Sequence, residues 1–231
     1  MITFKKYGAI DIGSNAIRLL IANVITQDGK EPQFKKSSLV RVPIRVGEDS
    51  FVKGFISEQN INRIMHAIEA FKLLMKVHKV ELYRACATSA MREASNGNLV
   101  VKKIEEKTGV SIDIISGKEE ARIISSTDLN ELIQGDNSYL YVDVGGGSTE
   151  FIIGQKFDTL ERESLNMGCV SMTQRYFSNG EIKAKPMRRA EIHTQQELQV
   201  IKYRFKELGW NLAVGAAGTL RSVERVIREM G

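Results

Sequence analysis

The positions from Asp143 to Glu150 read DVGGGSTE, two carboxylates separated by three glycines and two hydroxyls. Glycines 145 to 147 accept left-handed backbone and close approach, so their N–H groups can form a nest, and the simplest ligand for a nest is phosphate. Ser148 adds a hydroxyl at the rim. The same spacing occurs earlier in the chain. Adding 132 carries Asp11 to Asp143, Gly13 to Gly145, Arg18 to Glu150 and Leu19-Leu20-Ile21 to Phe151-Ile152-Ile153. An acid, a glycine and an apolar triplet repeated at fixed spacing point to an internal duplication. Two such lobes facing each other would place both acids in one cleft.

Three other stretches carry groups suited to an anion. Thr88, Ser89 and Arg92 follow an apolar run and open a helix, offering hydroxyls, N–H groups and a guanidinium fork. A plain N-cap with an exposed arginine explains the same residues. Glu119 and Glu120 follow Ser116-Gly117 at another helix start, where first-turn acids are expected from the helix dipole alone. Ala216-Ala217-Gly218-Thr219 is a third small-residue turn between a strand and a helix.

The elements that must hold these groups are legible from periodicity. Apolar strands are expected over 7–12, 17–24, 34–46, 82–87, 112–115, 139–142, 151–153, 160–165 and 212–215, with Pro43 pushing its strand to an edge. Gly47 to Gly54 reads as a loop. A helix from the N-cap Ser57 to about His78 puts Ile61, Ile64, Met65, Ile68, Phe71, Leu74 and Met75 on one face. Further helices are expected over 98–107, closed by Gly109, then from Ser116 to about Ile133, over 170–177, from Pro186 to Leu208 and over 220–230.

Composition narrows the class. The 231 residues, 42% hydrophobic and 26% charged, can bury a real core, and a net charge of +5 is only mildly favourable to polyanions. No apolar run nears the roughly 20 residues of a membrane span and no signal-peptide core fits the N-terminus, so a cytoplasmic protein without membrane or nucleic-acid partners is expected. Cys86 and Cys169 stand apart with no metal-ligand spacing, as does each histidine, so reduced thiols are expected.

Taken together, DIGSNAIRLLIANV, ATSAMREASN, ISGKEEARII, YVDVGGGSTEFIIG and AVGAAGTLRSV occur in that order. The ordered set resembles the exopolyphosphatase and guanosine pentaphosphate phosphohydrolase (Ppx/GppA) family, within the actin-like and sugar-kinase ATPase superfamily. The resemblance implies an α/β fold of duplicated ribonuclease-H-like lobes with an interlobe cleft, divided as 1–124 and 125–231. It implies hydrolysis of inorganic polyphosphate or guanosine pentaphosphate assisted by Mg²⁺, and a homodimer. By the same resemblance Glu120 is the general base, ahead of Glu119, and Asp143 and Glu150 handle magnesium or position the water, with Asp11 as their first-lobe counterpart. Ser14, Asn15, Arg18, Thr88, Ser89, Arg92, Gly145, Gly146, Gly147, Ser148, Gly218 and Thr219 would hold phosphate oxygens. Because phosphoryl transfer rests on positioning and charge stabilisation, no nucleophilic side chain is required.

Two departures stand beside the matches. Gly168-Cys169-Val170-Ser171 lacks the arginine this family carries soon after that glycine, and members continue well past the GxxGT turn, so the second lobe reads as incomplete and prone to self-association. A non-catalytic polyphosphate-binding module is therefore the alternative of another class, and a sugar kinase or actin-like ATPase a weaker third.

Overall fold

The computed structural model describes residues 2–126, 138–155, 158–178, 180 and 183–216. They form two compact α/β units that divide between Ile115 and Ser116. The break precedes the expected 124/125 boundary because the helix after it packs on the second sheet.

In the first unit, strands β1 (Ile2–Ile12), β2 (Ile17–Gln27), β3 (Gln33–Val42), β4 (Leu82–Ala87) and β5 (Asp113–Ile114) form one sheet in the order β3-β2-β1-β4-β5. β1 is antiparallel to β2 and parallel to β4. Helices α1 (Val46–Lys53), α2 (Glu58–Val77), α3 (Ser89–Glu93) and α4 (Gly97–Thr108) complete the unit. Ile61, Ile64, Ile68, Phe71 and Met75 recur every three or four residues along α2, and they pack with Ile10, Ile12, Ile17, Leu19 and Ile21 of the sheet. Each fully buried side chain of that size contributes roughly 2 kcal/mol, so this seam rather than helix propensity fixes α2.

The expected loop at 47–54 is instead helix α1, ended by Gly54 at a left-handed φ of 74°. Gly47, the flanking Gly54 and the polar inner positions Asp49 and Ser50 hide the helical period. Asp49 is nearly buried and accepts from Lys53 Nζ at 2.7 Å, Ser57 N–H at 3.0 Å, the Ser57 hydroxyl and Asn60 Nδ2 at 2.8 Å. Burial alone would raise its pKa, but these donors reverse the effect and hold it at about 2. The stability it provides is complete above the ordinary carboxylate range and is lost as pH falls toward 2. Replacing Asp49 by Ala is expected to lower stability by about 3 kcal/mol at neutral pH, with the gap from the parent narrowing as pH falls from 4 to 2 in urea titrations.

The second unit carries β6 (Ser138–Val144), β7 (Thr149–Gln155), β8 (Asp158–Leu165) and β9 (Leu212–Ala216) in the order β8-β7-β6-β9. Helices α5 (Gly117–Ser125), α6 (Cys169–Phe177) and α7 (Ala184–Leu208) pack with it. Ile201 and Phe205 of α7 bury against Ile153 and Leu165, and Phe151 meets the Phe205 ring edge to face at 6.5 Å. No helix among the described residues is long and apolar enough to cross a membrane.

The duplication holds at the level of strand register. Asp11 pairs with Arg18 across β1 and β2, and Asp143 pairs with Glu150 across β6 and β7. Tyr7 pairs with Leu82 in parallel, and Tyr139 pairs with Leu212.

Candidate functional site

Each hairpin closes with the same turn. Gly13 N–H donates to Ala16 O at 3.1 Å, and Gly145 N–H donates to Ser148 O at 2.9 Å. A Cβ on Gly13 would lie 3.2 Å from Ala16 O, and one on Gly145 would lie 3.0 Å from Ser148 O. Close approach therefore favours glycine at both positions. The expected left-handed conformations are not used, since none of Gly145, Gly146 and Gly147 has a positive φ.

The carbonyls of the glycine turn point into α6. Gly145 O accepts from Cys169 N–H at 3.0 Å, Gly146 O from Val170 N–H at 2.8 Å and Ser171 N–H at 3.0 Å, and Gly147 O from the Ser171 hydroxyl at 3.0 Å. Their peptides are thereby turned, and no hydrogen bond among the described residues uses the N–H of Gly146, Gly147 or Ser148. Three adjacent donors face away from α6, as an anion nest requires. The first-lobe turn is held in the same manner, with Gly47 N–H on Ser14 O at 2.8 Å and Arg45 N–H on Asn15 O at 2.9 Å.

Glu150 is 2% exposed and accepts from the Ser164 hydroxyl at 2.8 Å. Asp143 lies directly opposite it in the ladder, so both carboxylates share one face of the sheet. Burial, reinforced by the Asp143 charge, pushes the Tyr141 phenol up beside them. Helix α5 crosses that face: the Ser125 hydroxyl meets Arg162, which pairs with Ile152 two residues after Glu150. Glu120 therefore stands on the side of the sheet that carries Asp143 and Glu150. Ser116 caps α5 by accepting from Glu119 N–H, and the Glu119 carboxylate holds Arg122 in a bidentate pair at 2.7 and 2.9 Å.

In the first unit the Ser14 and Ser89 hydroxyls meet at 3.0 Å, and Thr88 donates to Ile12 O. The strand end of β1 and the start of α3 thus form one cluster. Arg92 donates to Ile115 O at 2.8 Å. The Asp11 side chain is 46% exposed and lies 3.6 Å from Arg18. Partial desolvation holds its carboxyl above the usual range, and the Arg18 charge only offsets part of that effect. Gly218 and Thr219 fall outside the described residues.

The proposed metal set of Asp11, Asp143 and Glu150 does not converge within one unit, and no group of three His, Cys, Asp or Glu among the described residues forms a ready metal centre. Two carboxylates on one face still fit magnesium, which keeps waters and takes phosphate oxygens for its remaining positions. Sequence reasoning missed that Arg45 braces the first-lobe turn through its N–H, a contact whose only signal is its place between Pro43 and Gly47.

Duplicated sheets, each with an acid at a strand end and a glycine turn after it, define an α/β protein of actin-like fold. The chain belongs to the Ppx/GppA phosphatase family, whose profile matches residues 31–231. It is similar in structure to an exopolyphosphatase-like protein, at 28% identity and a TM-score of 0.81, over 94% of this chain and 67% of that one. It is similar also to the Aquifex aeolicus PPX-GPPA enzyme, at 26% identity and a TM-score of 0.72, over 94% and 69% of the two chains. An exopolyphosphatase from Cytophaga hutchinsonii shares the fold at 24% identity and a TM-score of 0.82, over 98% and 71%.

Proposed function

We propose that the protein is a phosphoanhydride hydrolase that releases terminal phosphate from inorganic polyphosphate or guanosine pentaphosphate. The observation that carries this reading is the second-lobe face: three turn N–H groups beside Asp143 and Glu150, with Glu120 on the helix crossing the same side. The N–H groups of Gly146, Gly147 and Ser148 bind equatorial oxygens of the phosphoryl group. Glu120 accepts a proton from water as its oxygen bonds to phosphorus and the bridging P–O bond breaks, leaving a chain shorter by one phosphate. Asp143 and Glu150 would hold Mg²⁺, which would neutralise phosphate charge, and Asp11 is the matching metal-ligand candidate of the first lobe. Ser14, Asn15, Arg18, Thr88, Ser89 and Arg92 are the corresponding phosphate-holding residues of the first lobe.

Phosphate release from long-chain polyphosphate with and without Mg²⁺ tests the reading, using Glu150→Ala as the variant. Activity is expected to depend on Mg²⁺ and to drop at least about 100-fold in the variant. A parent that retains polyphosphate in a filter assay yet releases no phosphate is a binding module instead.

A further inference from the structure

The strap joining β3 to α1 has a counterpart joining β8 to α6. Val42 pairs with Ile17 as Leu165 pairs with Thr149, and Arg45 and Gly168 each stand three residues beyond. In the second lobe that position can hold no side chain, because a Cβ on Gly168 would come within 2.5 Å of the Gly146 carbonyl. In the first lobe it holds an arginine at φ 63° and ψ 45°. Left-handed backbone disfavours any L-residue with an ordinary side chain, and such outliers concentrate at functional sites. Glycine would serve the turn better unless the guanidinium is used.

Its surroundings suit an anion. Arg45 lines an open groove of about 510 Å³ together with Glu48, Asp49, Lys53, Asn60 and Arg63. The Arg63 guanidinium is fixed by neutral acceptors, Ile44 O, Pro43 O and Asn60 Oδ1, each at 2.9 Å, so these contacts leave its charge uncompensated. Asp49 is neutralised by Lys53 at 2.7 Å and covered by Ser57 and Asn60. Glu48 lies 3.4 Å from Arg45, with both side chains at least half exposed, a pair weak enough for a phosphate to displace. The backbone of Arg45 is bonded to Asn15 of the candidate phosphate turn, so the groove begins where that turn ends.

We propose that Arg45 is a phosphate-contacting residue of the first lobe, and that the groove from Arg45 to Arg63 takes the further phosphates of a linear oligophosphate. This rests on the phosphate reading of the site and assigns it a second subsite. Calorimetric titration with tripolyphosphate, paired with thermal melting, tests it on the parent, Arg45→Gly and Arg45→Gln. Arg45→Gly is expected to melt no lower than the parent, since glycine relaxes the left-handed turn, yet to lose about tenfold in affinity. Arg45→Gln, which keeps the backbone strain and loses the charge, is expected to show the same loss. Unchanged affinity in both variants would overturn the proposal and leave Arg45 as a strained cap, with the wider reading intact. A parent that takes up no tripolyphosphate overturns both.

Discussion

Replacing Glu120 by Gln is expected to lower the turnover number for phosphate release from long-chain polyphosphate by at least about 100-fold, with little change in melting temperature. The substitution keeps shape and removes the capacity to accept a proton from water. Helix α5 keeps other anchors in the variant, since Ala121 is fully buried, Ser116 caps the helix and Ser125 meets Arg162. Glu119→Gln is the informative partner. It breaks the bidentate pair with Arg122 on an exposed helix face, a loss of about 0.5 kcal/mol, and is expected to leave turnover within a factor of about three. Single-turnover rates and melting curves on both variants check the assignment. The reverse pattern, with Glu119 essential and Glu120 dispensable, would move the general base by one residue.

Gly168→Ala is expected to be the most damaging small substitution in the second lobe. Its Cβ would meet backbone atoms of Gly146 at 2.5 Å and Gly147 N at 2.6 Å, and neither can swing aside as a flexible side chain could. The turn must move as a unit, at a cost of about 2–3 kcal/mol in unfolding free energy. Because that turn supplies the proposed anion donors, phosphate release is expected to fall further than the lost stability explains. Urea unfolding should show a lower midpoint at unchanged slope, and assays well below the melting temperature separate the two effects. A variant as stable and active as the parent would show that α6 and the turn do not pack as described.

Much of this arrangement is legible in the sequence because it is carried by short-range signals. Helix α2 follows from its Ile61-to-Met75 stripe and its Ser57 cap, and α4 ends at Gly109, at the expected left-handed φ of 69°. The hairpins follow from the repeat at a separation of 132, whose register pairs place Asp143 opposite Glu150 as they place Asp11 opposite Arg18. What escaped depends on contacts between distant segments. Helix α1 buries polar Asp49 and Ser50, and the partners that satisfy Asp49 at 57 and 60 lie outside the helix itself. The glycines at 145 and 168 are needed because backbone atoms 3.0 and 2.5 Å away would meet a Cβ, and such crowding has no local signature. The unit boundary fell earlier than expected for the same reason, since α5 belongs to the sheet it covers rather than to the strand it follows.

The hydrogen bonds from Cys169, Val170 and Ser171 to the glycine carbonyls make the second-lobe turn part of a linkage. Helix α6 continues that linkage through Arg175, whose guanidinium lies 3.1 Å from His193 on α7, and α7 is anchored in the core by Ile201 and Phe205. The pitch of the donor groups is therefore geared to a pair of helices rather than being a property of three glycines. Glycine makes the chain pliable at this point, and the helix pair is the template that shapes it. The shape of the glycine turn and the seating of a 25-residue helix thus become one mechanical quantity.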